Sequence, residues 1–202
     1  MRKMVEPILY RDLCHTNGPV TCYYWCDYPR LFMTLIARPE LIQYVHSYTG
    51  PLTPYLMIKD EEQALRHSGA DTRQLTLAER IELATTIFTQ AVNIRDVHFI
   101  DDGTSHTNDL WQSVTQALSD KKLKRIALVT WSYRFPMAPL LRAQPGLKRL
   151  EISSLTATGL EDLDGTDLLL LENLECSAVQ VASLVPGRPG RLNFGMRWTR
   201  AP

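Results

Sequence analysis

One arrangement of apolar residues returns at a fixed interval in the second half of this sequence. The segments LKRIAL, LKRLEI and LENLEC share a frame in which the first, fourth and sixth residues are aliphatic or Cys. The three copies begin at Leu123, Leu147 and Leu171, so each starts 24 residues after the one before (147 − 123 and 171 − 147). Because side chains alternate between the two faces of a strand, the frame predicts a short strand with one buried face.

Two looser copies extend the series. IRDVHF begins at Ile94, 29 residues before Leu123, and RPGRLNF places Leu192 about 18 residues after Leu174. Intervals in this range are typical of leucine-rich repeats, in which each unit is one strand plus a helix or turn. We therefore expect an α/β fold, an irregular leucine-rich-repeat-like solenoid whose parallel strands alternate with helices or helical turns. An ordinary open α/β sheet is the alternative, since it also alternates strands with helices.

The segments between these strands carry helix signals. TLAERIELATTIFTQAV repeats apolar residues at steps of three and four, and Thr76 with Glu79 spells a capping box at its start. In NDLWQSVTQAL, Asn108 is the predicted N-cap of a second amphipathic helix. The connectors FPMAPLLRAQPG and SAVQVASLVPGRP are shorter and contain Pro, so we expect one or two helical turns in each. The apolar stripes are Leu77, Ile81, Ala84, Phe88 and Ala91 in the first helix and Leu110, Trp111, Val114 and Leu118 in the second.

The length of the chain supports one hydrophobic core, so we expect a single domain over residues 1–202. The more regular repeats cover 76–198, whereas 1–75 is irregular. Within that part, 50–74 are rich in Gly, Pro and charged residues and are predicted to form an insertion loop. A degenerate repeat is the alternative, because the strand frames at Val45 to Ile94 start 49 residues apart, close to two intervals of 24.

Three elements are predicted upstream of this loop. We expect a strand near ILYRDLCH and another around YVHSY. Between them, a helix is predicted from Pro29 through Ala37, because Pro suits a first helical turn. The helix is expected to stop before Pro39, since a residue that precedes Pro avoids helical backbone angles.

Charge and cysteine usage argue against several classes of protein. Lys plus Arg equals Asp plus Glu, 22 each, so the chain lacks the positive charge of a dedicated nucleic-acid binder. The sequence has no signal-peptide core and no apolar run of the length that spans a membrane. Four cysteines are too few and too unevenly spaced for a disulfide framework, so reduced thiols are expected. These features predict an intracellular protein, cytoplasmic or nuclear, with neither nucleic acid nor membrane as its partner.

One cluster has the residue types of a metal site. Cys14, His15, Cys22 and Cys26 lie within thirteen residues. A closed structural zinc site needs four ligands at defined spacing, often from paired CxxC knuckles, and this set is looser. Thiols packed in a loop with neighbouring aromatic residues are therefore the favoured interpretation.

A second cluster has the residue types of acid–base chemistry. Asp101, Asp102 and His106 follow the strand predicted at Phe99, in DDGTSH. Asp-Asp-Gly is also a common turn sequence, and the segment leads into a helix cap, so a turn is favoured. The sequence contains no nucleophile elbow, phosphate-binding loop or dinucleotide fingerprint. We therefore predict no catalytic residue, no metal ligand and no cofactor, and a small α/β enzyme or metal-binding protein that uses either cluster is the alternative.

The strand frames also predict a second face. Residues between the frame positions alternate outward and would form a column of mixed charge on the outer, concave surface of the sheet, with Arg125 beside Arg149. Such a column suits a protein partner, and a solvated sheet face without a partner is the alternative. The predicted partner-binding residues are Asp96, His98, Arg125, Arg149, Glu151, Ser153, Asn173, Glu175, Arg191 and Asn193.

Three longer segments together resemble one known family. RKMVEPILYRDLCH, LFMTLIARPELIQYVHSYTG and LENLECSAVQVASLVPGRPGRLNF resemble the irregular leucine-rich-repeat region that follows the F-box in fungal F-box proteins. The resemblance implies a protein–protein interaction module similar to the substrate-recognition part of a ubiquitin ligase. In that family the F-box docks onto a Skp-type adaptor, and here only Arg2 to Met4 precede the matching VEPILYRDL. The resemblance therefore implies a protein partner, and a Skp-type adaptor only where a longer form carries an F-box.

Overall fold

The computed structural model has an α/β fold built on one parallel sheet. The residues that the structure describes are 2–14, 34–50, 76–100, 108–129, 136–153, 159–164, 166–176 and 193–194. Within these residues seven strands form a sheet that is open at both edges. The strands are β1 (Asp12–Cys14), β2 (Ser47–Gly50), β3 (Asp96–Ile100), β4 (Arg125–Val129), β5 (Arg149–Ile152), β6 (Asn173–Cys176) and β7 (Asn193–Phe194).

The strands lie in the sheet in the order in which they occur in the chain, and every neighbouring pair is parallel. Helical segments precede or connect them. Among the described residues these are the α-helices α1 (Arg2–Leu9), α2 (Leu77–Gln90), α3 (Asn108–Ser119) and α4 (Ala138–Arg142), the 3₁₀ helices Pro39–Tyr44 and Leu160–Asp162, and a helical turn at 34–37. The prediction of parallel strands that alternate with helices or helical turns is confirmed for the described residues.

The repeated apolar frame sets the register of the sheet. Ile126 pairs with Leu150, and Leu150 pairs with Leu174, so residues 24 apart in the chain are neighbours across the strands. All three side chains are at most 1% exposed. The same inward row continues through Val97, Tyr48 and Leu13. The first residues of the frames are also buried: Val45, Ile94, Leu123, Leu147 and Leu171.

A backbone hydrogen-bond pattern recurs at the start of each strand. The carbonyl of the residue that precedes one strand accepts two N–H groups from the next, at N···O distances between 2.7 and 3.2 Å. At Lys124, for example, the carbonyl accepts from Lys148 N and Arg149 N, both at 3.0 Å. The carbonyls that accept in this way are those of Arg11, His46, Arg95, Lys124 and Lys148. Successive strands therefore begin at the same level.

The long helices pack on the inward row through their apolar stripes. In α2 the capping box predicted for Thr76 and Glu79 is confirmed by hydrogen bonds in both directions. The stripe of α3 is buried throughout, as predicted, although the helix begins at Asn108 itself and not after it. Edge-to-face and tilted ring contacts with centroids 5.2 to 6.3 Å apart then join the sheet to both helices. The four rings belong to Tyr48, Phe88, Phe99 and Trp111.

Gln144 is a polar residue within this core, 1% exposed. Its Oε1 accepts from Leu123 N at 3.0 Å, and its Nε2 donates to Leu118 O at 2.9 Å. One side chain thus satisfies the end of α3 and the entry to β4, although it belongs to the turn that follows α4. Buried polar groups need such partners, since an unsatisfied one destabilises the fold.

The N-terminal part contains a helix that the sequence did not predict. The strand predicted near ILYRDLCH is confirmed as β1, Asp12–Cys14, whereas the helix α1, Arg2–Leu9, precedes it without having been expected. Arg38 holds the helix in place through a bidentate interaction with Glu6, in which Nη1 donates to Oε1 at 2.9 Å and Nη2 donates to Oε2 at 3.1 Å. A pairing so distant in sequence has no local signature, and this explains why the helix was not predicted.

Around β2 the expected elements are present, and the strand lies a few residues later than predicted. Of the helix expected up to Ala37, residues 34–37 are described and are helical, and the turn stops before Pro39 as predicted. Pro39 then opens a 3₁₀ helix, so the expected strand around YVHSY is displaced to Ser47–Gly50. The predicted insertion loop lies outside the described residues except for Gly50.

Truncating a frame residue should remove core packing that the sheet requires. Leu150 is 0% exposed, so Leu150→Ala is expected to lower the free energy of unfolding by about 2 to 5 kcal/mol. The matched control is Leu169→Ala, at a side chain that is 68% exposed, where a change below about 0.5 kcal/mol is expected. Urea unfolding of both variants is the measurement, and equal losses would contradict the assignment of the frame to the core.

The bridge made by Gln144 gives a second stability prediction. Gln144→Leu preserves volume but leaves Leu123 N–H and Leu118 C=O without their partner, so a loss of about 1 to 3 kcal/mol is expected. Gln116→Leu, at an exposed site on α3, is the control for the change of residue type. If the two variants unfold at the same urea concentration, the bridge contributes nothing to stability.

Candidate binding face of the sheet

The side of the sheet opposite the inward row carries polar side chains in two rows. With consecutive parallel strands, right-handed connections return on one side of the sheet, so the described helices lie on the inward side and none of them covers this side. We call the side chains on it the outward face. Its first row is Asp12, Ser47, Asp96, Arg125, Arg149 and Asn173, and its second row is Thr49, His98, Ala127, Glu151 and Glu175.

A chain of ion pairs crosses three strands of the outward face. Arg125 donates from Nε and Nη2 to the two carboxylate oxygens of Glu151, at 3.0 and 3.2 Å. Arg149 Nη2 donates to Glu175 Oε1 at 3.1 Å. Arg149 Nε also lies 2.5 Å from Glu151 Oε1, but without the alignment of a hydrogen bond. The four residues therefore alternate in charge from β4 to β6.

The register explains why these pairs form. Arg125 is directly opposite Arg149, as predicted, and like charges in that position repel. Glu151 lies between them in the second row, and its side chain is only 17% exposed, against 39% for Arg125 and 42% for Arg149. The small Ala127, opposite Glu151 in register, leaves room for Arg125 to reach it diagonally. The carboxylate thus neutralises two guanidinium groups while their outer edges stay accessible.

His98 and Asp96 bring titratable groups to the same face. Burial, together with the positive charge of Arg125, holds the pKa of His98 below its usual value, although Glu151 acts in the opposite direction. The buried Nε2 of His98 has no hydrogen-bond partner in the described part of the chain. Burial and the charge of Asp12 raise the pKa of Asp96, with Arg125 opposing the shift. His98 is therefore a neutral imidazole at physiological pH, beside a cation.

Most of the predicted partner-binding residues meet on this face. The two rows contain Asp96, His98, Arg125, Arg149, Glu151, Asn173 and Glu175. Ser153 is exposed directly after β5, and Asn193 pairs in register with Asn173. Arg191 lies outside the described residues.

The sequence predicted the first two strands of the face, but their outward residues were not assigned to it. Ser47 Oγ donates to Asp12 Oδ1 at 2.8 Å, and Thr49 is beside His98 in the second row. The signal was present in YVHSYTG, because Val45 and Tyr48 occupy the first and fourth frame positions and both are buried. The interval of 49 residues to Ile94, about twice that of the later frames, left this strand out of the predicted column.

The two alternative sites are untested by the structure. His15, Cys22 and Cys26, with Asp101, Asp102 and His106, lie outside the described residues, and only the backbone of Cys14 is described, in β1. Elsewhere, in the part of the chain that is described, no group of three His, Cys, Asp or Glu residues could hold a metal ion. Burial raises the pKa of the Cys176 thiol to about 11, so it is protonated and a poor nucleophile near neutral pH.

A depression on the other side of the molecule offers less chemistry. It lies between α2 and α3, has a volume of about 560 Å³ and is open to solvent. Threonine hydroxyls and Glu82 line it together with Ile81. A small-molecule site is expected to be more enclosed, with several polar groups that converge on the ligand. The outward face is therefore the stronger candidate.

Comparisons with known proteins do not identify this chain. No protein-family model, no curated protein and no solved structure matches it. Among the described helices, none is both long and apolar enough to cross a membrane.

His98 gives the face a testable dependence on pH. Its pKa is lowered by folding, so the unfolded chain takes up a proton more readily than the folded chain as the pH falls below about 6.5. Acidification from pH 7.5 to 5.5 should therefore cost the wild-type protein more stability than the His98→Gln variant. Urea unfolding at both pH values measures the difference. Equal losses in the two proteins would show that His98 titrates as in the unfolded chain.

Proposed function

We propose that this chain is a protein–protein interaction module that binds its partner on the outward face. In this proposal the consecutive parallel strands are the units of an irregular leucine-rich-repeat-like solenoid, similar to the substrate-recognition region of a fungal F-box protein. The partner is a protein, and the module needs no cofactor of its own. We also propose an intracellular location, in the cytoplasm or nucleus, because the cysteine usage suits reduced thiols.

The observation that carries the proposal is the chain of ion pairs on a sheet face that none of the described helices covers. Arg125 and Arg149 are held by carboxylates, yet 39% and 42% of their side-chain surfaces are exposed. An arginine whose side chain is already ordered loses less conformational entropy when a partner binds it. Such residues are also enriched at protein interfaces, where the planar guanidinium contacts carboxylates, carbonyls and aromatic rings.

The layout of charge favours a protein over other ligands. Acidic and basic residues alternate across β4 to β6. A partner surface that is uniformly positive or uniformly negative would therefore meet repulsion as well as attraction. A protein surface with its own mixed charges can match the pattern. The face also spans several strands at spacings of about 4.8 Å, which is a surface for a polypeptide and not a pocket for a small molecule.

Ubiquitin-ligase function is a narrower proposal. The resemblance suggests that the bound protein is a ligase substrate, and an F-box is the element that would link it to a Skp-type adaptor. We therefore propose adaptor binding only for a form of the protein that carries an F-box. The outward face would serve recognition in either case.

Reversal of one central charge should abolish partner binding. Arg149→Glu places a third carboxylate beside Glu151 and Glu175, so partner recovery is expected to fall at least about tenfold. The measurement is quantitative mass spectrometry of proteins that co-purify with the tagged chain from its source cells. A partner counts only if its recovery depends on Arg149.

The control carries the same change in net charge on the helix side. Gln112→Glu combined with Gln116→Glu alters two exposed positions of α3 and should retain the partner. Arg149→Lys keeps the charge without the planar fork and should retain it in part. If every partner survives Arg149→Glu while the melting temperature is unchanged, the outward face is not the binding surface.

A further inference from the structure

The residues that directly precede the strands form a second charged feature. The carbonyls of all but the last of these residues accept the paired hydrogen bonds described above, so the residues lie in a row at the N-terminal ends of the strands, which we call the edge where the strands begin. Most of them are basic. In chain order they are Arg11, His46, Arg95, Lys124, Lys148 and Glu172.

Three cations at the centre of this edge have no acidic partner among the described residues. Arg95 Nη1 donates to the carbonyl of Lys122 at 3.4 Å, and Lys124 Nζ donates to the carbonyl of Gly146 at 3.3 Å. Lys122 itself is exposed. We call Arg95, Lys122 and Lys124 the basic edge.

The next strand supplies the contrast. Lys148 occupies the same register position as Lys124, but its Nζ lies 2.6 Å from Glu172 Oε1. Both lysines are exposed. The charge of one is therefore neutralised within the protein, and that of the other is available to a ligand.

We infer that the basic edge binds carboxylates of an acidic segment of the protein partner, an inference that rests on the proposed function of the outward face. Lys124 is followed directly by Arg125, so the basic edge is continuous with that face. A partner that covers Arg125 and Arg149 would extend over Lys124. Aspartate or glutamate side chains at that point would gain ion pairs with three cations that lack them.

The surroundings favour a polypeptide over a nucleic acid. Beyond Lys124, Glu151 lies in β5 and Glu175 in β6, and Glu172 directly precedes β6. A nucleic acid has a negative charge at every phosphate and would be repelled by these glutamates. A polypeptide can carry its acidic side chains only opposite the basic edge and uncharged residues opposite the glutamates. The balanced charge of the whole chain, 22 acidic and 22 basic residues, also gives no long-range attraction for a polyanion.

The test uses the purified full chain and a fluorescein-labelled oligoglutamate peptide, followed by fluorescence anisotropy at low salt. Lys124→Gln and Lys148→Gln make the same change in net charge at the same register position. Lys124→Gln is expected to weaken binding about threefold to fivefold, and Lys148→Gln to leave it within twofold. The double variant Lys122→Glu with Lys124→Glu should abolish it. Melting temperatures confirm that each variant is folded.

Three outcomes would overturn the inference. They are no binding of the peptide, an equal loss for Lys124→Gln and Lys148→Gln, or tighter binding of an oligothymidylate of equal charge, which would indicate a nucleic-acid site. Failure here is distinguishable from failure of the proposed function. If the peptide does not bind but a partner is still lost from Arg149→Glu, the outward face remains a binding surface without an acidic contact at its edge.

Discussion

The structure depends on one backbone interaction that recurs at the start of every strand from β2 to β6. A single carbonyl accepts two N–H groups of the following strand, and this keeps successive strands level. A shift of one residue at any of these points would turn every side chain of that strand to the opposite face. The inward apolar row and the outward polar rows are therefore two results of the same alignment. Neither could be changed without the other.

Alignment also decides which charges meet. Because the strands are in register, Arg125 lies opposite Arg149 and Glu151 lies opposite Glu175. Both pairs place like charges side by side. The molecule resolves both by pairing diagonally, because each arginine reaches a glutamate two positions further along the next strand. Four residues that would repel in direct opposition are thereby joined into one chain. The outward face owes its order to this diagonal arrangement.

The sequence allowed part of this to be predicted. The frames at Leu123, Leu147 and Leu171 led to the correct register for β4, β5 and β6. The two intervals between these frames are equal, so equivalent positions could be matched directly. Toward the N-terminus the intervals lengthen: α1 and the outward residues Asp12, Ser47 and Thr49 were missed, and β2 lies a few residues later than expected. The diagonal ion pairs were beyond prediction for a different reason. Which acid an arginine reaches depends on side-chain rotamers and on the small size of Ala127, and neither follows from periodicity.

The hydrogen bonds of Gln144 affect how the molecule unfolds. Its amide reaches from the turn after α4 to the end of α3 and the entry of β4, so neighbouring stretches of chain share one buried set of hydrogen bonds. A stacked architecture can fray unit by unit from either end, since each unit touches only its neighbours. Here the stretch around β4 cannot open while the turn before β5 stays closed. The middle of the sheet should therefore behave as one cooperative block, with fraying confined to the strands outside it.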